Sequence, residues 1–150
     1  MTSPSVDIVS ACVEDIVSRL SRLSFLGTKR VFYAFTEDQI EDLQSRAAPP
    51  LVIITWGGLG AASRSYRNVF SLYFLAKSET LSQVRGSLAL PKATSQLQSI
   101  RYAMLCSKAP TGNAWVLDYE VPNGNSSDAI MYRMNWHTTY HPISGLPDAV

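Results

Sequence analysis

Charge is scarce in this sequence: 17% of its 150 residues are charged, against roughly 25% in typical soluble domains. Neither sign dominates, since 13 Lys and Arg face 12 Asp and Glu for a net +1. No overall field therefore draws the chain onto nucleic acid or an anionic membrane. Histidine and cysteine number two each, and the two histidines have no cysteine or carboxylate near them in sequence, which makes a weak zinc ligand set. Cys12 and Cys106 sit among apolar neighbours in segments with helical spacing, which reads as free buried thiols in a reducing cytoplasm. No apolar run approaches the roughly 20 residues of a membrane span, and the N-terminus lacks the pattern of a secretory leader, so the expectation is cytoplasmic synthesis and no membrane contact. What is present is apolar and aromatic. Hydrophobic residues make up 46%, with three Trp and seven Tyr, types that serve cores and protein interfaces alike.

Periodicity supplies the elements. Val6, Val9, Val13, Ile16, Val17, Leu20 and Leu23 fall at three- and four-residue steps, predicting a helix over residues 4–24, with Ser3 and Pro4 as cap and first turn and Gly27 as the stop. A short extended run covers residues 30–34. Thr36-Glu37-Asp38-Gln39 matches a capping box and opens a short helix to about Ser45. After Pro49-Pro50, the β-branched run 51–56 reads as a buried strand. A flexible Gly57-Gly58-Leu59-Gly60 loop joins it to an alternating strand, 64–77, with Tyr66, Phe70, Leu72 and Phe74 on one side and Val69, Tyr73 and Leu75 on the other. One side should meet helices and the other a partner. Residues 78–92 read as a loop, and Leu97, Ile100 and Met104 mark a second long helix from about Thr94. Two strands, beginning at Trp115 and near Ile130, form a second hairpin around Pro122-Asn123-Gly124-Asn125. The expected fold is one α+β domain over residues 1–141: a four-stranded, mainly antiparallel sheet with two long helices packed on one face, a short extra helix, and an extended tail at 142–150.

Catalytic signatures are wanting. His137 and His141, four apart on a strand, stand roughly 13 Å from one another and read as surface imidazoles rather than a metal pair. The glycine loop is followed by a strand where a phosphate-binding loop needs a helix. No Gly-x-Ser-x-Gly elbow is present, and the paired carboxylates at 14–15, 37–38 and 41–42 read as helix surface charge. Neither a cofactor nor an enzymatic activity is expected. Arg64, Arg67 and Lys77, interleaved with Tyr66 and Tyr73, form the best candidate surface for nucleic acid, although contact with acidic groups of a protein partner fits the neutral chain better.

Taken in order, the amphipathic first helix, the short helix before Pro49-Pro50-Leu51-Val52-Ile53-Ile54, the hairpin with Tyr66-Arg67-Asn68-Val69-Phe70-Ser71-Leu72-Tyr73-Phe74, the second helix and the final hairpin resemble the tail-terminator and tail-completion proteins of long-tailed bacteriophages. Residues 9–23 resemble the family's opening helix. The Pro-Pro entry into the first long strand is similar to its Leu-Pro entry, from which it departs by one residue, and the last hairpin is richer in Tyr and Trp. The resemblance rests on element order and spans nearly the whole chain. It implies a structural virion protein, a homo-oligomeric and usually six-membered ring at the head-proximal end of the tail. Such a ring stops tube polymerisation and joins the tail to the neck, with the tail tube protein and head–tail connector proteins as partners and passing contact with DNA in the lumen. Mapped here, the ring and tube contacts are the hairpin tip 57–67 with Gly57, Gly58, Gly60, Arg64, Tyr66 and Arg67; Tyr73 on the same hairpin; Arg85 and Lys92 around the loop 86–92; and His141 at the head of the tail. Two other readings remain open from the residues. One is a small ligand-binding or regulatory domain with Trp56, Trp115 and Trp136 around an apolar pocket; the other is an enzyme centred on His137, His141 and Asp118.

Overall fold

The computed structural model describes residues 7–62, 65–77, 89–125 and 129–141. The first helix, α1 (Ile8–Ser21), starts at Asp7, whose carboxylate accepts from the Val9 amide at 3.0 Å and from the Ser10 hydroxyl at 2.8 Å. Asp7 thereby fills the N-cap role predicted for Ser3, which lies with Pro4 outside the described residues. At the far end, the Gly27 amide bonds back to the Leu23 carbonyl and Gly27 takes φ +61°, a conformation that costs glycine little. Strand β1 (Val31–Tyr33) follows, then α2 (Glu37–Arg46), capped as the sequence predicts: Thr36 and Gln39 satisfy each other's backbone amides. Next come β2 (Leu51–Ala62), β3 (Ser65–Lys77), α3 (Ala89–Leu105), β4 (Val116–Asn125) and β5 (Ala129–Tyr140).

The sheet has five strands in the order β1-β2-β3-β5-β4. β1 runs parallel to β2, pairing Phe32 with Ile53, and every other neighbour is antiparallel. This corrects the expected four-stranded, mainly antiparallel sheet with two long helices: among the described residues the sheet is five-stranded and mixed, and three helices pack on it. The added strand is three residues long, too short to show a period. Its parallel pairing also requires a crossover, which α2 provides.

That crossover decides where the helices go. Val52, Ile54, Phe70, Leu72, Phe74, Met134 and Trp136 point to the first face, where Cys12, Ile16 and Leu20 of α1 and Leu97, Ile100 and Met104 of α3 close the main core. Leu51, Ile53 and Leu75 point the other way, and Ile40, Leu43 and Ala47 of α2 pack on them with Met131 and Tyr73. The α2 helix thus lies on the face opposite α1 and α3, and the expectation that this face awaits only a partner is corrected for its β1–β2–β3 flank.

Three further expectations shift. The glycine segment 57–62 is the end of β2, paired with residues 65–69 through a register shift between Trp56 and Gly58. The second long helix begins at Ala89, ahead of Thr94, and contains Pro91; a first-turn proline breaks no helical hydrogen bond. Trp115 precedes β4 and is buried in the first-face core, where its indole donates to the Asp15 carboxylate at 3.0 Å. The tail 142–150 lies outside the described residues.

Candidate functional site

Of the predicted contact residues, Gly57, Gly58, Gly60, Tyr66 and Arg67 gather at one end of the sheet. A side chain at Gly57 would meet Val69 Cγ1 at 3.2 Å, and Gly58 takes φ +102°, so both glycines serve the bulge that bends β2. Gly60 lies opposite Arg67 with open space where a Cβ would stand. Tyr66 pairs across strands with Tyr140, their rings 5.9 Å apart, which brings exposed His141 to the same end. Trp56 and Leu59 add apolar surface there, 43% and 45% exposed, although the Trp56 indole donates to buried Asn68 at 2.8 Å. Tyr73 sits lower, on the second face. Lys92 is exposed on α3, a helix where a loop was expected, and is not part of this cluster. Arg64 and Arg85 lie outside the described residues.

The second face divides in two. Its β1–β2–β3 flank is under α2. The β3–β5–β4 flank is open and carries Tyr73, Ser71, Arg133, Asn135, Tyr119 and Val121, placed side by side by the pairings Tyr73–Arg133, Ser71–Asn135, Tyr119–Asn135 and Val121–Arg133. Val116, Tyr119 and Val121 are 44%, 40% and 41% exposed. Between the flanks runs a groove of about 790 Å3, floored by Tyr73, Leu75 and Met131 and walled by Glu37, Glu41 and Gln44 of α2 and by Asn123 and Gly124 of the β4–β5 hairpin. Periodicity placed Tyr73 here. It could not show the exposed aliphatic row of β4, because the bulges at Leu117/Tyr119 and Pro122/Asn125 break the two-residue alternation.

Two ionisable groups differ from expectation. His137, expected as a surface imidazole, is buried, with Nδ1 2.8 and 2.9 Å from the two oxygens of Asp118. The β4 bulge at Asp118 lets that carboxylate reach across. A carboxylate-oriented imidazole is the second half of a nucleophilic triad, yet no serine or cysteine is hydrogen-bonded to His137 among the described residues. His141 does not join it, and no group of three His, Cys, Asp or Glu side chains able to hold a metal occurs among the described residues. Cys12 is buried and its thiol is pushed up to about 12 by desolvation, partly offset by the Asn68 amide 3.7 Å away. Cys106, expected to be buried in a helix, is exposed just beyond α3.

The proposed tryptophan pocket does not form: Trp115 and Trp136 fill the main core, and Trp56 stands at the hairpin end. No helix among the described residues is long and apolar enough to cross a membrane. The fold and this open flank define a class, a three-layer α+β domain with a mixed sheet half-covered on its second face. No protein-family model matches the chain, and no curated protein matches it.

Proposed function

We propose that this chain is a structural assembly subunit, a tail-terminator or tail-completion protein that forms a ring at the head-proximal end of a phage tail. The observation that carries the assembly reading is the open β3–β5–β4 flank, where Val116, Tyr119 and Val121 of β4 lie exposed. Contiguous exposed apolar surface rimmed by polar groups is what protein interfaces present. The hairpin end with Trp56, Leu59 and Tyr66 supplies a second such surface at the top of the sheet. Element order supports the tail role in particular, with tail tube and connector proteins as partners, Arg67 turned to DNA in the lumen, and the virion as the site of action.

Electron micrographs and mass photometry of the purified protein, with co-sedimentation on isolated tail tubes, test this reading. Rings, or capture by tubes, are expected. A monomer at high concentration that ignores tubes overturns it. The groove beside α2 favours one other reading, a small ligand-binding or regulatory domain; a thermal shift with a small metabolite, in a protein that never forms rings, would select it.

A further inference from the structure

The open flank of the second face holds a cation, Arg133, that pairs with no carboxylate of the described residues. Arg133 rises from β5 between two tyrosines, its guanidinium carbon 5.5 Å from the Tyr73 ring centroid and 5.9 Å from that of Tyr119. One terminal nitrogen, Nη2, reaches the Ser71 hydroxyl at 3.4 Å, and that hydroxyl itself donates to the Asn135 side-chain oxygen at 3.0 Å. Nε is enclosed and has no acceptor. Ion pairs among the described residues join Asp15 to Arg19, Asp42 to Arg46, Glu120 to Arg101 and Asp118 to His137, and none involves Arg133. An arginine flanked by rings keeps its charge and loses water over its faces, so the edge of its terminal nitrogens carries the remaining bonding capacity. That edge is a planar two-pronged donor, and the group that matches it is a carboxylate.

The chain carries surplus carboxylates on the same face. α2 has Glu37, Asp38, Glu41 and Asp42 against one base, Arg46. Glu37 and Glu41 wall the groove beside their own sheet, whereas Asp38 and Asp42 do not. α2 covers the β1–β2–β3 flank and reaches Met131 of β5 through Gln44, whose Nε2 lies 3.7 Å from the sulfur, while Arg133 stands on the β3–β5–β4 flank beside it and exposed Asp38 lies outside the groove between them. Donor and receptor placed so are suited to meet between copies set side by side, each offering α2 to the next. Such a contact is head-to-tail, the kind that generates a closed ring when its rotation closes.

We propose that Arg133 is a receptor for a carboxylate on α2, Asp38 or Asp42, of a neighbouring copy of this chain, with Tyr119 and Val121 packing around the pair. This rests on the ring reading above and names the interface that builds the ring.

Charge exchange in the full-length protein tests it by mass photometry across a concentration series. Arg133→Glu alone and the double change Asp38→Lys with Asp42→Lys are each expected to raise the ring's dissociation constant by roughly tenfold or more, as losing one side of a buried interfacial charge pair does. Combining all three changes should bring assembly back close to that of the unaltered protein. Arg133→Lys keeps the charge without the fork, preserves the fold if Arg133→Glu does not, and is expected to weaken assembly less. Unaltered rings in both Arg133 variants overturn the site and leave the ring reading standing. Loss of rings in Arg133→Glu without recovery in the combined variant overturns α2 as the source of the carboxylate. An unaltered chain that never assembles overturns the proposal and the ring reading together.

Discussion

At the scale of single residues, Arg19 does most to hold the first layer to itself. Buried on α1, it donates through Nε to Asp15 at 2.7 Å and through its terminal nitrogens to the carbonyls of Ala103, Met104, Ser107 and Lys108. Those carbonyls lie at and beyond the end of α3, where a helix leaves its last acceptors unpaired and its dipole favours a cation. Arg19→Met should therefore cost about 3–5 kcal/mol, the range for breaking a buried charge pair, as a lower midpoint in urea unfolding. Only the Asp15 pairing, four residues back on the same helix, is local; the four carbonyls are backbone atoms more than 80 positions away, which no sequence pattern marks. Cysteine chemistry separates cleanly. With its thiol raised to about 12, Cys12 has a folded value above its unfolded one, so its contribution to stability is full below about pH 9 and fades as pH rises toward 12. Exposed Cys106 should react with a thiol reagent at neutral pH while Cys12 reacts only on unfolding, and equal rates for both would contradict the burial. Asp7 acts in the opposite direction. The Ser10 hydroxyl and the Val9 amide hold its carboxyl below the ordinary 3.8, so its capping contribution is present above that pH and lost on acidification. An Asp7→Asn variant should show a flatter loss of stability with acid.

Elements show where local rules suffice and where they fail. The capping box of α2 is wholly local, and both of its reciprocal bonds form as residues 36–39 predict. Thr36→Ala should cost about 1 kcal/mol, read as a lowered melting temperature. The glycine run behaves otherwise, since composition alone suggests a loop while pairing with β3 makes it strand. Two of its glycines differ in a testable way. At Gly58, φ +102° burdens any side chain, and Gly58→Ala should lose about 1–2 kcal/mol. Gly60 has open space and no positive φ, and Gly60→Ala should leave chemical denaturation unchanged. Equal costs at both positions would remove the bulge as the reason for Gly58. In α3, two fastenings tie the helix and its following loop to the last hairpin: Arg101 grips both oxygens of Glu120 at 2.7 and 2.8 Å, and the hydroxyls of Thr111 and buried Thr138 lie 2.7 Å apart.

For the whole molecule, the asymmetry of the second face matters most. α1 and α3 roof the first face, while α2, ten residues long, shelters one flank of the second. The β4 edge that borders the open flank is interrupted by two bulges and contains Pro122, devices that discourage unintended strand addition along an edge. Contact through the face is thus favoured over contact through the edge. Tyr119→Asp, placing a charge in the open flank without touching the core, should abolish ring formation in micrographs and lower the unfolding free energy by no more than about 1 kcal/mol, the scale of the lost contact with Arg133.

By itself the sequence determined the helices with a clear apolar stripe, the capping box, both hairpins and the alternation of β3, all consequences of side-chain period and turn chemistry within a few residues. Tertiary structure alone decided the parallel strand β1, the side taken by α2, the extension of β2 through its glycines, the burial of His137 against Asp118 and the isolation of Arg133 between two tyrosines. Each of these depends on which distant segments lie side by side, and that is settled by burial of the whole apolar surface at once rather than by any local pattern.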